Sequence, residues 1–367
     1  MTATSLHFVP TGNARHLAPG SDATVRALRA RGRAVWPLRR RGADLGYAVE
    51  TVRTMPERAQ AQRRWRDAEA VFLPGLLAAR LGPAARHIRS CLAMFDRLRK
   101  GARFLDELDR RLAATQNFRY AGSTVDKTDA REVERVFVDA EQEGQVVAED
   151  LWAKLAWIAD DQTDRSLRIR FSHGLEQVED WLQGGCAIAH WSDRFAAEAF
   201  PECEVIAGSQ ELHALLGQLI PRPYRLSERI LYNNAPDGGA VFHHDAEPGQ
   251  LGVAFNQLEG RTAWLAISKP RLALALVRHG RAKDVPAGMA ALEHEDDHAL
   301  WQLLNRDPAF TGRLAAMGCL FVLEAGDTIL LPSHGIDHAT WHSVLALGTK
   351  PSLAHSYGIF PSTGAWV

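Results

Sequence analysis

The chain is poor in cysteine, methionine and tyrosine, with four, five and five among 367 residues. Cys91, Cys186, Cys203 and Cys319 stand far apart with no CxxC pair. That spacing speaks against a zinc knuckle or a dithiol redox site and suits reduced thiols in a cytoplasm. No run approaches the ~18 apolar residues that a transmembrane helix needs. The opening stretch, MTATSLHFVPTGNARHLAPG, lacks a charged start followed by an apolar core, so it does not read as a secretory signal. Residues 1–20 are expected to be a flexible leader. Internal repeats and low-complexity tracts are absent as well, and the expectation is a cytoplasmic protein with no membrane partner.

Net charge is also missing, but only in total. The formal charge is −1, yet residues 1–122 carry 23 Lys+Arg against 10 Asp+Glu, and residues 123–367 carry 20 against 34. Arg26, Arg29, Arg31, Arg33, Arg39, Arg40 and Arg41 surround Trp36 in one short run. Such a run could grip the phosphates of a nucleic acid, with Trp36 free to stack. It could equally pair with residues 123–164, which hold 12 Asp+Glu against 4 Lys+Arg. The second reading needs no partner molecule and is preferred, because no helix-turn-helix, zinc-finger or RNA-binding signature accompanies the run.

Leu105, Leu108 and Leu112 recur at helical spacing, and GLLAARLGPAARHIRSCLAMFDRL has the same character. Asp129 opens a second helical pattern running to about residue 161, interrupted only by Gly144, with Val133, Val136, Phe137 and Ala140 as its apolar stripe. Past residue 165 the texture changes to short β-prone runs: LRIRFSH, RILYNN, AVFHHD, GVAFNQL, TAWLAI, CLFVL, TILLP and TWHSVLAL. PDGG and Glu259-Gly260 suit hairpin turns between them. Helical insertions are expected over 209–218 and 287–317. The expected class is α+β, with a helical domain over 21–164 and a small barrel or sandwich over 165–367. The helical half would serve as a lid, a substrate platform or a homodimer surface.

The most informative segment is Val241-Phe242-His243-His244-Asp245. On a strand, His243 and Asp245 face one side and His244 the other. A third ligand to a shared metal must come from elsewhere, and His334, His338 and His342 lie downstream. Two imidazoles and a carboxylate on one face leave three positions open on Fe(II). His294 and His298, with Glu295 between them, could share a helix face, but that segment is dense in charge and reads as a solvated surface.

The order His243-x-Asp245, then Asn256-Gln257-Leu258-Glu259-Gly260-Arg261-Thr262-Ala263-Trp264, then Gly326-Asp327 to Pro332, then Trp341-His342-Ser343-Val344 resembles that of JmjC-like (cupin-type) oxygenases across about residues 165–362. The resemblance implies a double-stranded β-helix (cupin, or jelly-roll) barrel using Fe(II) and 2-oxoglutarate. It further implies His243, Asp245 and His342 as iron ligands, His338 being the alternative third ligand, with SHGIDHAT as an insertion that accounts for the spacing. Related halogenating oxygenases have a small residue where Asp245 stands, so Asp245 points to hydroxylation. Many similar proteins anchor the cosubstrate with a lysine at the place of Thr262; Arg261, Lys350 or Tyr232 could take over that duty. The implied reaction consumes O2 and hydroxylates a small metabolite or an amino-acid residue of a peptide. The other readings are a cupin-like binding or regulatory protein without turnover, and an oxygenase acting on a ribosomal or RNA-associated protein.

Overall fold

In a computed structural model, residues 12–51, 53–159, 163–173, 187–294 and 296–362 are described. Most of the leader (residues 1–11), Cys186 and Glu295 lie outside them. The chain opens with β1 (Ala14–Leu17), α1 (Asp22–Ala30), β2 (Val35–Arg40), β3 (Ala43–Glu50), α2 (Arg58–Arg66) and β4 (Val71–Leu73). The two helices α3 (Ala78–Arg99) and α4 (Phe104–Leu112) follow, then β5 (Phe118–Thr124), β6 (Glu132–Gln142), β7 (Gln145–Trp157) and β8 (Leu167–His173). Next come α5 (Ala187–Ala199), α6 (Glu204–Ala207), α7 (Gln210–Leu219), β9 (Tyr224–Asn234), β10 (Gly252–Glu259) and β11 (Arg261–Ser268). Four helices intervene, α8 (Lys269–Arg278), α9 (Val285–Leu292), α10 (His298–Arg306) and α11 (Pro308–Ala316). The last strands are β12 (Leu320–Glu324), β13 (Thr328–Pro332), β14 (Thr340–Leu347) and β15 (Ser352–Pro361). No helix among the described residues is long and apolar enough to cross a membrane.

Two sheets face each other around the feature of interest. One has nine strands in the order β4-β13-β10-β15-β9-β8-β7-β6-β5; the other has three, β12-β11-β14, and every pairing is antiparallel. Consecutive strands cross between them: β10 lies in the first sheet, β11 and β12 in the second, β13 in the first, β14 in the second and β15 in the first. The Glu259-Gly260 turn is therefore a corner between sheets, and the hairpin expected there does not form. Gln257 fastens that corner, donating to the carbonyls of Glu259 and Leu353 and accepting from the Thr262 hydroxyl.

Strands buried on both faces explain the continuous apolar runs in the sequence. Phe255, Trp264, Phe321, Ile329 and Val344 fill the space between the sheets. The outer face of the large sheet packs on α3, α4 and α5 through residues such as Phe95, Leu108 and Phe195. Leu265, Ile267 and Leu345 on the other sheet's outer face meet α8, α10 and α11.

The N-terminal half departs from the expected helical domain. The helix expected from Asp129 is instead the β6–β7 hairpin, turning at Glu143 and Gly144, both with positive φ. Burial along β6 alternates, with Glu132, Glu134, Val136, Val138 and Ala140 buried. The two buried glutamates disguised the two-residue period, and the valines favour strand over helix. The expected leader is also partly strand, since Ala14–Leu17 pairs with β3. The division at residue 165 falls within one sheet, because β7 pairs with β8 across it.

Part of the basic run folds inward. Arg40 is 1% exposed, and its guanidinium donates to the Ser343 hydroxyl and to the carbonyls of Val344 and Gly239. Arg41 pairs with Asp164 at 3.1 Å, the one contact of the expected kind between that run and the acidic segment among the described residues. Arg53 extends the theme, bridging Glu324 and Asp327 between β12 and β13.

Candidate metal centre

His342 is the second inward-facing residue of β14, beside Ala266 of β11. Trp264, two residues earlier on β11, stacks on its ring at 5.3 Å between centroids and 20° between planes. The segment holding His243 is not the regular strand expected: it makes a single bridge to His342. Two backbone bonds close that bridge, His243 N to His342 O at 3.0 Å and His342 N to His243 O at 2.8 Å. Upstream, Val344 N donates to Ala240 O and Ala346 N to Gly238 O, so residues 238–243 still run along β14. This pairing fixes the two histidines directly opposite each other.

The result is one compact donor set. Ligand atoms of His243, Asp245 and His342 all lie within 4.8 Å of one another, and this is the one such group found among the described residues. Asp245 faces both imidazoles, at 3.4 Å from His243 Nε2 and 3.5 Å from His342 Nε2. His243 Nδ1 lies 2.8 Å from the Val241 carbonyl. That acceptor assigns the proton to Nδ1 and leaves Nε2 free to bind a metal. The His342 side chain is 4% exposed, those of His243 and Asp245 40% and 36%, so one wall of the site is open.

Electrostatics prepare the set for a cation. Burial pushes the Asp245 carboxyl up, but His342 and His243 outweigh it and hold it well below the usual carboxylate range. Burial, reinforced by His243, lowers His342 to about 3, so it stays neutral. Burial also opposes the charged form of His243, and Asp245 overcomes it to raise that group. A carboxylate anion and a neutral imidazole are the states a metal ligand requires.

Two cavities meet at this point. The inner one, about 30 Å³, lies between the sheets and is lined by the trio together with Tyr232, Asn234, Phe255, Trp264 and Ser356, among others. The outer one, about 400 Å³, is walled by α9 and α10 and includes Phe242, His244, Glu293, Trp301 and Trp341. His243 lines both.

The other expected site residues are dispersed. His338 ends a short 3-10 turn and, with His334, borders a separate surface pocket beside Trp65. His244 rests against Trp341 at 5.0 Å, on the outer-cavity side as expected. His294 also borders the outer cavity, while His298 opens α10. Of the expected cosubstrate anchors, Tyr232 alone borders the inner cavity; its hydroxyl accepts from Ser356, and burial together with the Asp245 charge raises its pKa. Thr262 is spent on Gln257 and Trp264. Arg261 turns outward to Glu324 and lies over the Trp36 ring. Lys350 is exposed in the turn before β15. Alternation along β11 explains the outward turn of Arg261, since odd-numbered residues of that strand point away from the interior.

Gly239 tests how the loop is held. Its φ is +124°, and a Cβ there would stand 2.4 Å from the Val344 carbonyl. Gly239→Ala is expected to cost about 1–3 kcal/mol of stability and to weaken metal binding by loosening His243 from β14. Denaturant unfolding and a metal titration of the same sample check both effects.

No family model and no curated protein matches the chain. Solved structures to which it is similar include the following three. One is an oxidoreductase of the 2OG-Fe(II) oxygenase family from Burkholderia pseudomallei, at 11% identity over 85% of this chain and 95% of that one, TM-score 0.30. Another is YcfD, a ribosomal oxygenase from Escherichia coli, at 14% identity over 72% of this chain and 44% of that one, TM-score 0.26. The third is SnoN, a non-heme alpha ketoglutarate dependent epimerase from nogalamycin biosynthesis, at 16% identity over 84% and 82%, TM-score 0.33. At such TM-scores the functional reading rests on the donor set itself.

Proposed function

We propose that this chain is an Fe(II)- and 2-oxoglutarate-dependent oxygenase that hydroxylates a small metabolite or an amino-acid residue. The observation carrying this reading is the donor set, two imidazoles and one carboxylate converging from two chain segments at the junction of two cavities. Such a set fits a divalent metal of the first transition row and leaves coordination positions for other ligands. The alternation of strands between two facing sheets supports a double-stranded β-helix. Bound there, Fe(II) and 2-oxoglutarate would supply O2 activation coupled to oxidative decarboxylation of the 2-oxo acid.

The chain's own contribution is holding and screening. His243, Asp245 and His342 would hold the metal, with the Val241 carbonyl orienting one imidazole and the Trp264 ring the other. Phe255, Val253, Leu331 and Val344 give the inner cavity apolar walls that keep water out. The outer cavity, bordered by Trp301 and Trp341, suits the substrate, which would reach the metal past His243.

The test is cosubstrate turnover. With Fe(II), ascorbate and O2, the purified chain is expected to convert 2-oxoglutarate to succinate and CO2 slowly without substrate, and Asp245→Ala is expected not to. Succinate formation equal in the two proteins would contradict the reading.

A further inference from the structure

Around the trio stands a series of cations on the inner face of the large sheet, and all but one have carboxylate partners. Lys154 lies 3.6 Å from Asp129 and 3.8 Å from Glu132, Arg135 lies 2.8 Å from Glu132, and Arg170 lies 3.7 Å from Glu228. Arg168 has no hydrogen bond or ion pair among the described residues.

Its position follows from register. Leu167, Ile169 and Phe171 of β8 enter the core under α5, so Arg168 projects from the opposite face. It pairs with Tyr232 of β9 on one side and Ala156 of β7 on the other. Tyr232 lines the inner cavity, and so does Ile158, two residues past Ala156. Arg168 thus stands at the edge of that cavity, where burial lowers its pKa and the Asp245 carboxylate opposes that shift. A half-buried guanidinium without a counter-ion is costly, and its fork of donors matches a carboxylate in a bidentate pair.

We propose that Arg168 receives the distal carboxylate of the 2-oxo diacid whose other end would sit at the trio. The assignment rests on the 2-oxoglutarate reading above. It also explains how the site can lack a cation at position 262: the charge comes from the neighbouring strand β8, beside Tyr232, instead of from β11.

The experiment compares two ligands on the full chain loaded with Mn(II), by calorimetry without O2. One is 2-oxoglutarate; the other is 2-oxopentanoate, which has a methyl group in place of the distal carboxylate. The unaltered protein should bind the diacid about 10- to 100-fold more tightly, the range of a charge-assisted hydrogen bond. Arg168→Gln should erase that preference while leaving 2-oxopentanoate affinity unchanged, which also shows that the variant is folded. Arg168→Lys should retain part of the preference. Arg168→Gln with an undiminished preference overturns the assignment. If Arg168→Gln loses both ligands, Arg168→Lys decides: reduced preference supports the assignment and full preference overturns it. Failure of the cosubstrate reading has a different signature, since the unaltered protein would then bind neither 2-oxo acid.

Discussion

Asp245→Ala is expected to lower divalent-metal affinity by more than about 100-fold. Removing an outer partner of a metal ligand already costs about 10- to 100-fold, and Asp245 is itself a donor and the only anion of the set. Its charge lies 3.4 and 3.5 Å from the two imidazole nitrogens, so its loss removes both a ligand atom and the field that attracts a cation. The apo-protein should fold normally, because among the described residues the Asp245 side chain pairs with the two histidines alone. His338→Ala supplies the contrast. That residue borders another pocket, and its variant should bind metal like the unaltered protein. Calorimetric titration with Zn(II) or Co(II) reads both results. Thermal unfolding gives a second readout, since a ligand that binds only the native state raises Tm, and raises it further the tighter it binds. A metal-induced rise in Tm is expected for His338→Ala and not for Asp245→Ala.

Trp264→Ala is expected to cost about 3–5 kcal/mol, the usual range for truncating a large buried aromatic residue. Trp264 is 2% exposed and fills the middle of the space between the two sheets. It meets Phe255 edge to face at 4.5 Å, stacks on His342, and donates from Nε1 to the Thr262 hydroxyl at 3.0 Å. The alanine variant would leave a cavity beside a metal ligand, so metal affinity should fall together with stability. Trp264→Phe separates the two effects. It keeps a ring against His342 and gives up the hydrogen bond, so stability should drop by about 1–2 kcal/mol with metal affinity nearly retained. Denaturant unfolding with unchanged m-values, alongside metal titration, distinguishes these outcomes.

These two residues show where sequence patterns are informative. His243, Asp245 and His342 could be picked out because they stand in a fixed order with recognisable flanks; strand parity is not the reason, since the His243 segment makes a single bridge to β14 and no regular strand. The β-rich half was readable for a related reason: β10 to β15 are short apolar runs punctuated by glycine, and both faces are buried. The β6–β7 hairpin was misread because Glu132 and Glu134 face inward, to Arg135 and to the amides of Phe104 and Leu105. Paired buried charges hide a two-residue period, while Val133, Val136, Phe137 and Ala140 mimic a helical one. Glu143-Gly144 was the available signal, a turn pair able to take positive φ at both positions. The cosubstrate anchor was illegible for another reason. Arg261, Lys350 and Arg168 are all cations near β-prone runs, and only register shows that Arg168 stands beside Tyr232. The alternation Leu167-Arg168-Ile169-Arg170-Phe171 did mark Arg168 as sharing a face with Arg170, opposite the apolar residues.

The central claim is that His243, Asp245 and His342 hold Fe(II) in a form that 2-oxoglutarate can chelate. Anaerobic titration of the protein with Fe(II) followed by 2-oxoglutarate, recorded by visible absorption, tests it most directly. The account predicts a metal-to-ligand charge-transfer band that grows to one equivalent of each and is absent in Asp245→Ala and His342→Ala. Fe(II) binding without that band, or the same band in both variants, would contradict it.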